Sequence, residues 1–325
     1  MTEAKLFYMN KKTGQCQWQK PNDQFQNTFT EIQNTFAEMF SMWVGRLLIT
    51  GKNAKWANIA AQTATGFASS IIMSPAEAGI ECAVKPKNTP DGRVGVLIQI
   101  YHKTRFDLKA QMILRIGQCI MTCPTTAAFD ALPEAKRRLK VGRSLRLFGD
   151  GFQKRGTLSN RKVWRIPVME GEFIVEDNFG AAKAIAGGNF IIMAQNGETG
   201  LQAAEKAAEA ISNNAKGVIM PFPGGICRAG SKAGSLRYKL KASTNHPFCP
   251  KLKGLVADSQ IHYDTKCVYE IVINGLNLDV VKKAMAEGIK AAVKVPGVVR
   301  ISAGNYGGKL GPYRAYLKEV LELAE

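Results

Sequence analysis

The pattern of hydrophobic and polar positions along the chain predicts two blocks of secondary structure that follow the same order. Continuous apolar runs predict strands, and apolar positions three or four residues apart predict helices. In the first block these signals predict a strand at 44–50, a helix at about 52–65, a strand at 67–73, a Pro- and Gly-rich loop at 74–93, a strand at 94–101 and a helix at about 107–121.

The second block repeats this order. A strand is predicted at 188–194, and the next helix carries an apolar stripe at Leu201, Ala204, Ala208 and Ile211. Then come a short strand at 217–220, a long basic loop rich in glycine, a strand at 267–273, a helix at about 277–295 and a strand at 297–302. Strand–helix–strand units arranged in this way are split β-α-β motifs. The sequence therefore predicts an α+β fold with duplicated ferredoxin-like lobes.

These blocks place the two lobes at residues 31–165 and 166–311, with a shorter segment on each side. Residues 1–30 resemble the later two-thirds of a WW domain, with matches at Phe7, Tyr8, Asn10, Thr13, Trp18 and Pro21. Because two strands alone are marginally stable in water, we expect this extension to be mobile. Residues 312–325 are predicted to form a helical tail with apolar positions at Tyr313, Tyr316, Leu317, Val320 and Leu321.

Composition is that of a globular protein, with 46% hydrophobic and 22% charged residues among 325. There is no apolar run long enough for a membrane span and no secretory leader, so we expect a cytoplasmic protein without a membrane partner. The seven cysteines are expected to be reduced thiols. The three histidines do not have metal-ligand spacing, so no metal site is expected.

The net charge of +18 is concentrated in two segments. Residues 136–165 hold eleven basic side chains and one acid, and residues 228–253 hold seven basic side chains and no acid. Such segments favour anionic partners, which include nucleic acid, anionic lipid and polyanionic small molecules. Charge alone leaves the choice among them open.

Three glycine-rich segments stand beside these basic residues: 186–190, 221–226 and 304–311. Glycine lets the backbone approach a ligand closely. None of the three has the spacing of a Walker A or dinucleotide-binding loop. Together they predict the lining of a site for a large anionic ligand.

Glu270 is the one carboxylate in an otherwise apolar predicted strand, 267–273. Burial disfavours the charged form of a carboxyl group, which suits a group that carries protons near neutral pH. A glutamate at a sheet edge, or one paired with a basic residue, is the structural alternative. The sequence pattern leaves both open.

Short runs across nearly the whole chain resemble those of the formylmethanofuran:tetrahydromethanopterin formyltransferase family. They are 34–40 (NTFAEMF), 64–67 (ATGF), 75–80 (PAEAGI), 89–93 (TPDGR), 115–119 (RIGQC), 148–151 (FGDG), 167–171 (PVMEG), 221–226 (PFPGGI), 242–245 (ASTN), 268–272 (VYEIV) and 301–305 (ISAGN). The resemblance implies two ferredoxin-like lobes and a homotetramer with the active site where subunits meet. It also implies no tightly bound cofactor, with methanofuran and tetrahydromethanopterin as coenzyme substrates.

The family's catalytic glutamate corresponds to Glu270. The resemblance and the glycine-rich segments together give the coenzyme-binding candidates Gly187, Gly188, Asn189, Pro223, Gly224, Gly225, Ser243, Thr244, Asn245, Gly304, Asn305 and Lys309. Two alternatives remain open: a catalytically silent scaffold subunit of a formyltransferase/hydrolase complex, and a basic nucleic-acid-binding protein. The direction of transfer, methanogenic or methylotrophic, also remains open.

Overall fold

The structure is a computed structural model that describes residues 6–19, 29–230 and 232–322. Its strands are β1 (Leu6–Asn10), β2 (Cys16–Gln19), β3 (Phe29–Ile32), β4 (Phe36–Gly51), β5 (Glu77–Val84), β6 (Val94–His102), β7 (Ala127–Asp130), β8 (Arg137–Leu139), β9 (Lys154–Leu158), β10 (Arg161–Val168), β11 (Gly171–Glu176), β12 (Phe179–Ala194), β13 (Val218–Ile219), β14 (Lys232–Ala233), β15 (Ala242–Ser243), β16 (Cys267–Gly275), β17 (Val298–Ser302) and β18 (Tyr313–Tyr316).

Six α-helices lie in the described residues, and the longer ones begin at a capping side chain. They are α1 (Ala54–Thr65), α2 (Arg105–Arg115), α3 (Val141–Leu145), α4 (Gly197–Asn214), α5 (Leu278–Val293) and α6 (Leu317–Glu322). The side chains of Asn53, Asn196 and Asn277 each accept a hydrogen bond from the backbone of the first turn of α1, α4 and α5. Such caps satisfy N–H groups that have no partner within the helix. Within the described residues, no helix is both long and apolar enough to span a membrane.

Two compact units divide the chain. One comprises Met1–Phe40 and Ile185–Glu325, and the other comprises Ser41–Ala184. The chain changes unit inside the long strands β4 and β12. The expected linear boundary at 165/166 therefore differs from this division, because two continuous strands contribute residues to both units.

The unit at Ser41–Ala184 has ferredoxin-like strand order. Its strands pair as β5-β6-β4-β7, and every neighbouring pair is antiparallel. Strand β7 also pairs in parallel with β11, and β11 pairs onward with β10 and β10 with β9. Helices α1 and α2 pack on the sheet through apolar residues that include Ala57, Ala61, Leu108 and Met112.

The predicted strand at 67–73 is wrong. Those residues form a tight turn, in which Ser74 N donates to Ser70 O at 2.8 Å and Ile71 N donates to the Glu77 carboxylate at 3.0 Å. The strand that pairs with β6 is β5, inside the predicted loop 74–93. Serines that bond locally to the backbone favour the turn here over the strand.

The other unit repeats the same strand order. Its strands pair as β13-β16-β12-β17, again antiparallel throughout, and β3 joins β17 in parallel. Helices α4 and α5 cover one face, where Phe190, Ile192, Ile271 and Ile273 belong to the core. Ile191 and Met193 point to the opposite face and pack with Phe248. The two units thus confirm the duplicated α+β fold.

The N-terminal hairpin is part of this second core. Strand β1 pairs with β2 and β3, and Phe7 and Met9 are buried. The expectation of a mobile extension is therefore wrong for residues 6–19, because the apolar side of the hairpin is packed. The rest of 1–30, apart from Phe29 and Thr30 in β3, lies outside the described residues. The WW-like match at Pro21 is among them.

The C-terminal tail is only partly helical. Residues Tyr313–Tyr316 form β18, which pairs with β4, and helix α6 begins at Leu317. The tail packs into the core through Ala315, Leu317, Val320 and Leu321. The prediction of a helix from 312 is wrong for the first residues, because the edge of β4 supplies them with strand hydrogen bonds.

Candidate active site

Glu270 lies in the middle of β16, on the sheet face opposite helices α4 and α5. In the ladder with β12 it stands directly across from Ile191. Its neighbour Ile271 points to the helices, so alternation along the strand places Glu270 on the other side. The residue is 6% exposed, so it is buried in the structure.

Cys227, on the loop that follows β13, lies beside Glu270 as its partner in an isolated antiparallel bridge. Cys227 N donates to Glu270 O at 2.8 Å, and Glu270 N donates to Cys227 O at 3.0 Å. Burial raises the pKa of the Cys227 thiol to about 11, and the nearby Glu270 carboxylate contributes to the rise. The thiol is therefore protonated at neutral pH and is a poor nucleophile.

A cleft of about 530 Å³ opens beside this pair. Its lining residues include one acidic side chain, Glu270, and three basic ones, Arg228, Lys251 and Lys266. The apolar lining comes from residues such as Ile191, Phe248 and Val268. A lining that holds one carboxylate and three cations suits an anionic ligand whose reacting group meets Glu270.

Asn189 joins the site to the glycine-rich segment at 304–311. Gly304 N donates to Asn189 Oδ1 at 2.6 Å, and Asn189 Nδ2 donates to Gly304 O at 3.1 Å. A methyl group built on Gly304 would lie 3.6 Å from Glu270 Oε1. The absence of a side chain at Gly304 therefore keeps the space beside the carboxylate open.

Tyr306 follows on the same segment. Ala233 N donates to its hydroxyl oxygen at 2.9 Å. Burial raises the pKa of Tyr306, the Ala233 N–H opposes the rise, and the carboxylates of Glu270 and Glu38 add to it. The tyrosine therefore lies within the electrostatic reach of Glu270 and stays protonated at neutral pH.

Only some of the predicted coenzyme-binding residues lie near Glu270. Asn189, Asn245 and Gly304 lie at the cleft or beside Glu270. Ser243 and Thr244 immediately precede Asn245 but are not among the lining residues. Asn305 donates to Thr35 Oγ1 and Phe36 O, and Lys309 is exposed on the 304–311 segment.

Several predicted glycines have packing or backbone roles in the structure. A methyl group on Gly188 would lie 2.3 Å from Val281 Cγ1, which belongs to helix α5. Gly187, Gly225 and Gly224 have positive φ, and the last two lie in the 3₁₀ turn that begins at Pro223. Helix packing therefore accounts for a glycine at Gly188, a turn accounts for Gly224 and Gly225, and the irregular pairing of β12 with β16 accounts for Gly187.

Sequence reasoning did not single out Cys227, Tyr306, Glu38 or the three lining cations as site residues. Glu38 carried a signal of the same kind as Glu270, a lone carboxylate inside an apolar strand run, and it is 2% exposed. Among the described residues, no group of three His, Cys, Asp or Glu side chains is arranged to hold a metal ion.

Comparisons with known proteins show which family this chain resembles. Residues 25–168 match the family model described as formylmethanofuran-tetrahydromethanopterin formyltransferase, and residues 171–320 match the model of its proximal lobe. The formylmethanofuran–tetrahydromethanopterin formyltransferase of Methanocaldococcus jannaschii is 55% identical over 295 residues, which cover 90% of this chain and 98% of the relative. That of Archaeoglobus fulgidus is 52% identical over 291 residues, covering 89% and 98%.

Solved structures agree with these matches. The enzyme of the same name from Methanosarcina barkeri has a TM-score of 0.86 and 50% identity, covering 90% of this chain and 98% of its own. The formyltransferase/hydrolase complex of Methylorubrum extorquens, solved with methylofuran, contains a chain with a TM-score of 0.85 and 42% identity, covering 90% and 97%.

The fold and the cleft define a two-lobed α+β protein with one carboxylate in the lining of a basic cleft. The chain belongs to the formylmethanofuran–tetrahydromethanopterin formyltransferase family. The family models cover both lobes, while the hairpin β1–β2 precedes the first match.

Proposed function

We propose that this chain transfers a formyl group between formylmethanofuran and N5 of tetrahydromethanopterin. The observation that carries the proposal is the position of Glu270, buried in a basic cleft within a chain that is 55% identical to a formyltransferase of this name. A proton carrier placed in such a cleft meets the needs of transfer between two amines.

In the first step the N5 amine of tetrahydromethanopterin attacks the formyl carbon. A carbon–nitrogen bond forms, the carbonyl electron pair moves to oxygen, and a tetrahedral oxyanion results. The Glu270 carboxylate accepts the proton released by N5. Holding the two reactants together in one cleft supplies a large part of the acceleration.

In the second step the electron pair of the oxyanion re-forms the carbonyl bond, and the bond from carbon to the methanofuran nitrogen breaks. Its electron pair returns to that nitrogen, which takes the proton from Glu270 and leaves as an amine. The carboxylate is regenerated, and no enzyme nucleophile is needed. The protonated thiol of Cys227 is consistent with this direct route.

The oxyanion needs hydrogen-bond donors near the formyl oxygen. Our candidates are Ser243, Thr244, Asn245 and backbone N–H groups of the glycine-rich segments. The position of Asn245 in the lining of the cleft favours it among the three side chains. Arg228, Lys251 and Lys266 would bind the carboxylate and phosphate groups of the coenzymes.

A catalytically silent scaffold role is the second candidate. The relative from Methylorubrum extorquens belongs to a formyltransferase/hydrolase complex, which supports association of this chain with a hydrolase as a further proposal. The retention of Glu270 in the cleft favours an active subunit over a silent one. Nucleic-acid binding has only the basic segments in its favour.

We further propose that the chain acts in the cytoplasm as a homotetramer without a tightly bound cofactor. The decisive experiment for the reaction is formyl exchange between the two purified coenzymes near neutral pH. We expect exchange in both directions with the wild-type chain. No exchange by a folded protein with both coenzymes present would exclude the proposed reaction and leave the scaffold role.

A further inference from the structure

We propose that Glu38 is a positioning residue, which holds the segment 304–311 (the loop after β17) in the conformation that places Gly304 and Tyr306 beside Glu270. The proposal rests on the function proposed above, because it concerns the geometry of the same site. Glu38 itself lies in β4, far from Glu270 in sequence, and is not among the residues that line the cleft.

Four backbone N–H groups of the loop converge on the Glu38 carboxylate. Tyr306 N and Gly308 N donate to Oε2 at 2.8 and 3.1 Å. Gly311 N donates to Oε1 at 2.8 Å, and Leu310 N donates to the same oxygen. A single side chain thus satisfies half of the loop's eight residues, in a segment with two consecutive glycines at positive φ, Gly307 and Gly308.

An ionised carboxylate suits this role better than any neutral side chain. It offers about four lone-pair sites on two oxygens, whereas an amide offers one oxygen and two donors. Burial alone would raise the pKa of Glu38, but the four backbone N–H groups together lower it. The charged form is therefore the one that the loop binds, and a glutamine would face N–H groups with its own N–H₂.

Two residues of the loop, Gly304 and Tyr306, lie near Glu270. Gly304, at its start, exchanges two hydrogen bonds with Asn189, and a methyl group added to it would lie 3.6 Å from Glu270 Oε1. Tyr306 has its backbone N–H on Glu38, and its pKa is raised in part by both Glu38 and Glu270. Releasing the loop from Glu38 would shift both residues relative to the carboxylate that carries the proton.

Glu31 provides a matched control. It is also a buried glutamate of the same unit, 8% exposed, but it accepts a hydrogen bond from Arg300 Nη2 at 2.8 Å and makes no hydrogen bond to the loop that the structure records. Glu31→Gln should therefore cost stability without changing the loop. Comparing it with Glu38→Gln separates loss of a buried charge from loss of loop order.

The experiment combines hydrogen exchange with steady-state kinetics on the full chain. In Glu38→Gln we expect faster exchange at Tyr306, Gly308, Leu310 and Gly311, with strand β18 still protected. We expect kcat to fall by about 10- to 100-fold, the scale of a misplaced catalytic geometry, with KM changed less than about threefold. Glu38→Asp keeps the charge on a side chain one methylene shorter and should give an intermediate loss.

Two results would overturn the proposal. One is faster exchange of the four amides with an unchanged kcat, which would show that the loop does not position the site. The other is a loss of activity no greater than that of Glu31→Gln, with the four amides still protected. If Glu38→Gln does not fold, Glu38→Asp decides by the same criteria. A wild-type chain inactive in formyl exchange would refute the reaction, while the exchange data would still decide whether Glu38 orders the loop.

Discussion

The main chains of Cys227 and Glu270 hydrogen-bond to each other in both directions, with N···O distances of 2.8 and 3.0 Å. This isolated pair fixes the loop after β13 across the middle of β16. Its consequence is that a loop that begins with a glycine-rich turn lies alongside Glu270, while the Glu270 side chain still borders the cleft.

The first prediction concerns the proton carrier. Glu270→Gln removes the basic oxygen but keeps nearly the same volume, so the fold and coenzyme binding should persist. We expect kcat for formyl exchange to fall at least about 10²-fold, the usual range for lost general acid–base help. Glu31→Gln is the control for a buried carboxylate away from the cleft. Near-full activity of Glu270→Gln would mean that Glu270 has a structural role.

The fold was predictable where local pattern and tertiary packing agree. The apolar run of β16 and the helical spacing of α4 are readable from neighbouring residues. The strand β5 was not readable, because its Glu81 is buried by pairing with Arg46, 35 residues earlier in the chain. A sequence pattern cannot show a partner at that separation.

The site residues were predictable where their own strand makes them stand out. Glu270 and Asn189 stand out in their strands as polar residues among apolar ones. Glu38 does too, but its role depends on four N–H groups some 270 positions later in the chain. Glycines such as Gly188 cannot be divided by sequence into ligand-facing and packing positions, because both lack a side chain for steric reasons.

The second prediction separates these two roles of glycine. Gly188→Ala should lower the free energy of unfolding by about 1–3 kcal/mol, because its new methyl group would meet Val281 at 2.3 Å. The KM for either coenzyme should remain unchanged. Gly197→Ala is the control, since nothing lies within 4 Å of the added methyl group. Thermal and urea unfolding measure stability, and a raised KM without loss of stability would restore Gly188 as a binding residue.

The third prediction follows from the raised pKa of Cys227, about 11 against an ordinary value of 9.0. The folded chain holds the thiol proton more tightly than the unfolded chain does. The resulting stabilisation is complete below about pH 9 and is lost as the pH rises through about 11. The stability difference between wild type and Cys227→Ala, which does not titrate, should shrink by about 2–3 kcal/mol over that window. A difference independent of pH would place the thiol in a solvated setting.

The fourth prediction concerns the cations of the cleft. Lys251→Ala and Lys266→Ala should each raise the KM for the anionic coenzymes several-fold and leave kcat within about twofold, because a charge far from the reacting atoms contributes to binding. Raising salt from 0.1 to 1 M shortens the Debye length from about 10 to about 3 Å. It should therefore raise the KM of the wild type more than the KM of a variant that carries both substitutions. Lys206→Ala, exposed on helix α4, is the control. Salt-independent KM values with tight RNA binding at physiological salt would favour the nucleic-acid alternative.

The last prediction concerns assembly. Between β14 and β15, Leu236, Tyr238 and Leu240 are 76%, 66% and 53% exposed, and they alternate with basic residues. Apolar side chains gathered on a surface mark an interaction site, and a symmetric homo-oligomer would bury them. We expect light scattering to show a tetramer, and Leu236→Asp combined with Leu240→Asp to dissociate it with a parallel loss of activity. Leu201→Asp, on helix α4, should change neither. A fully active wild-type monomer would contradict both the tetramer and the dependence of the site on it.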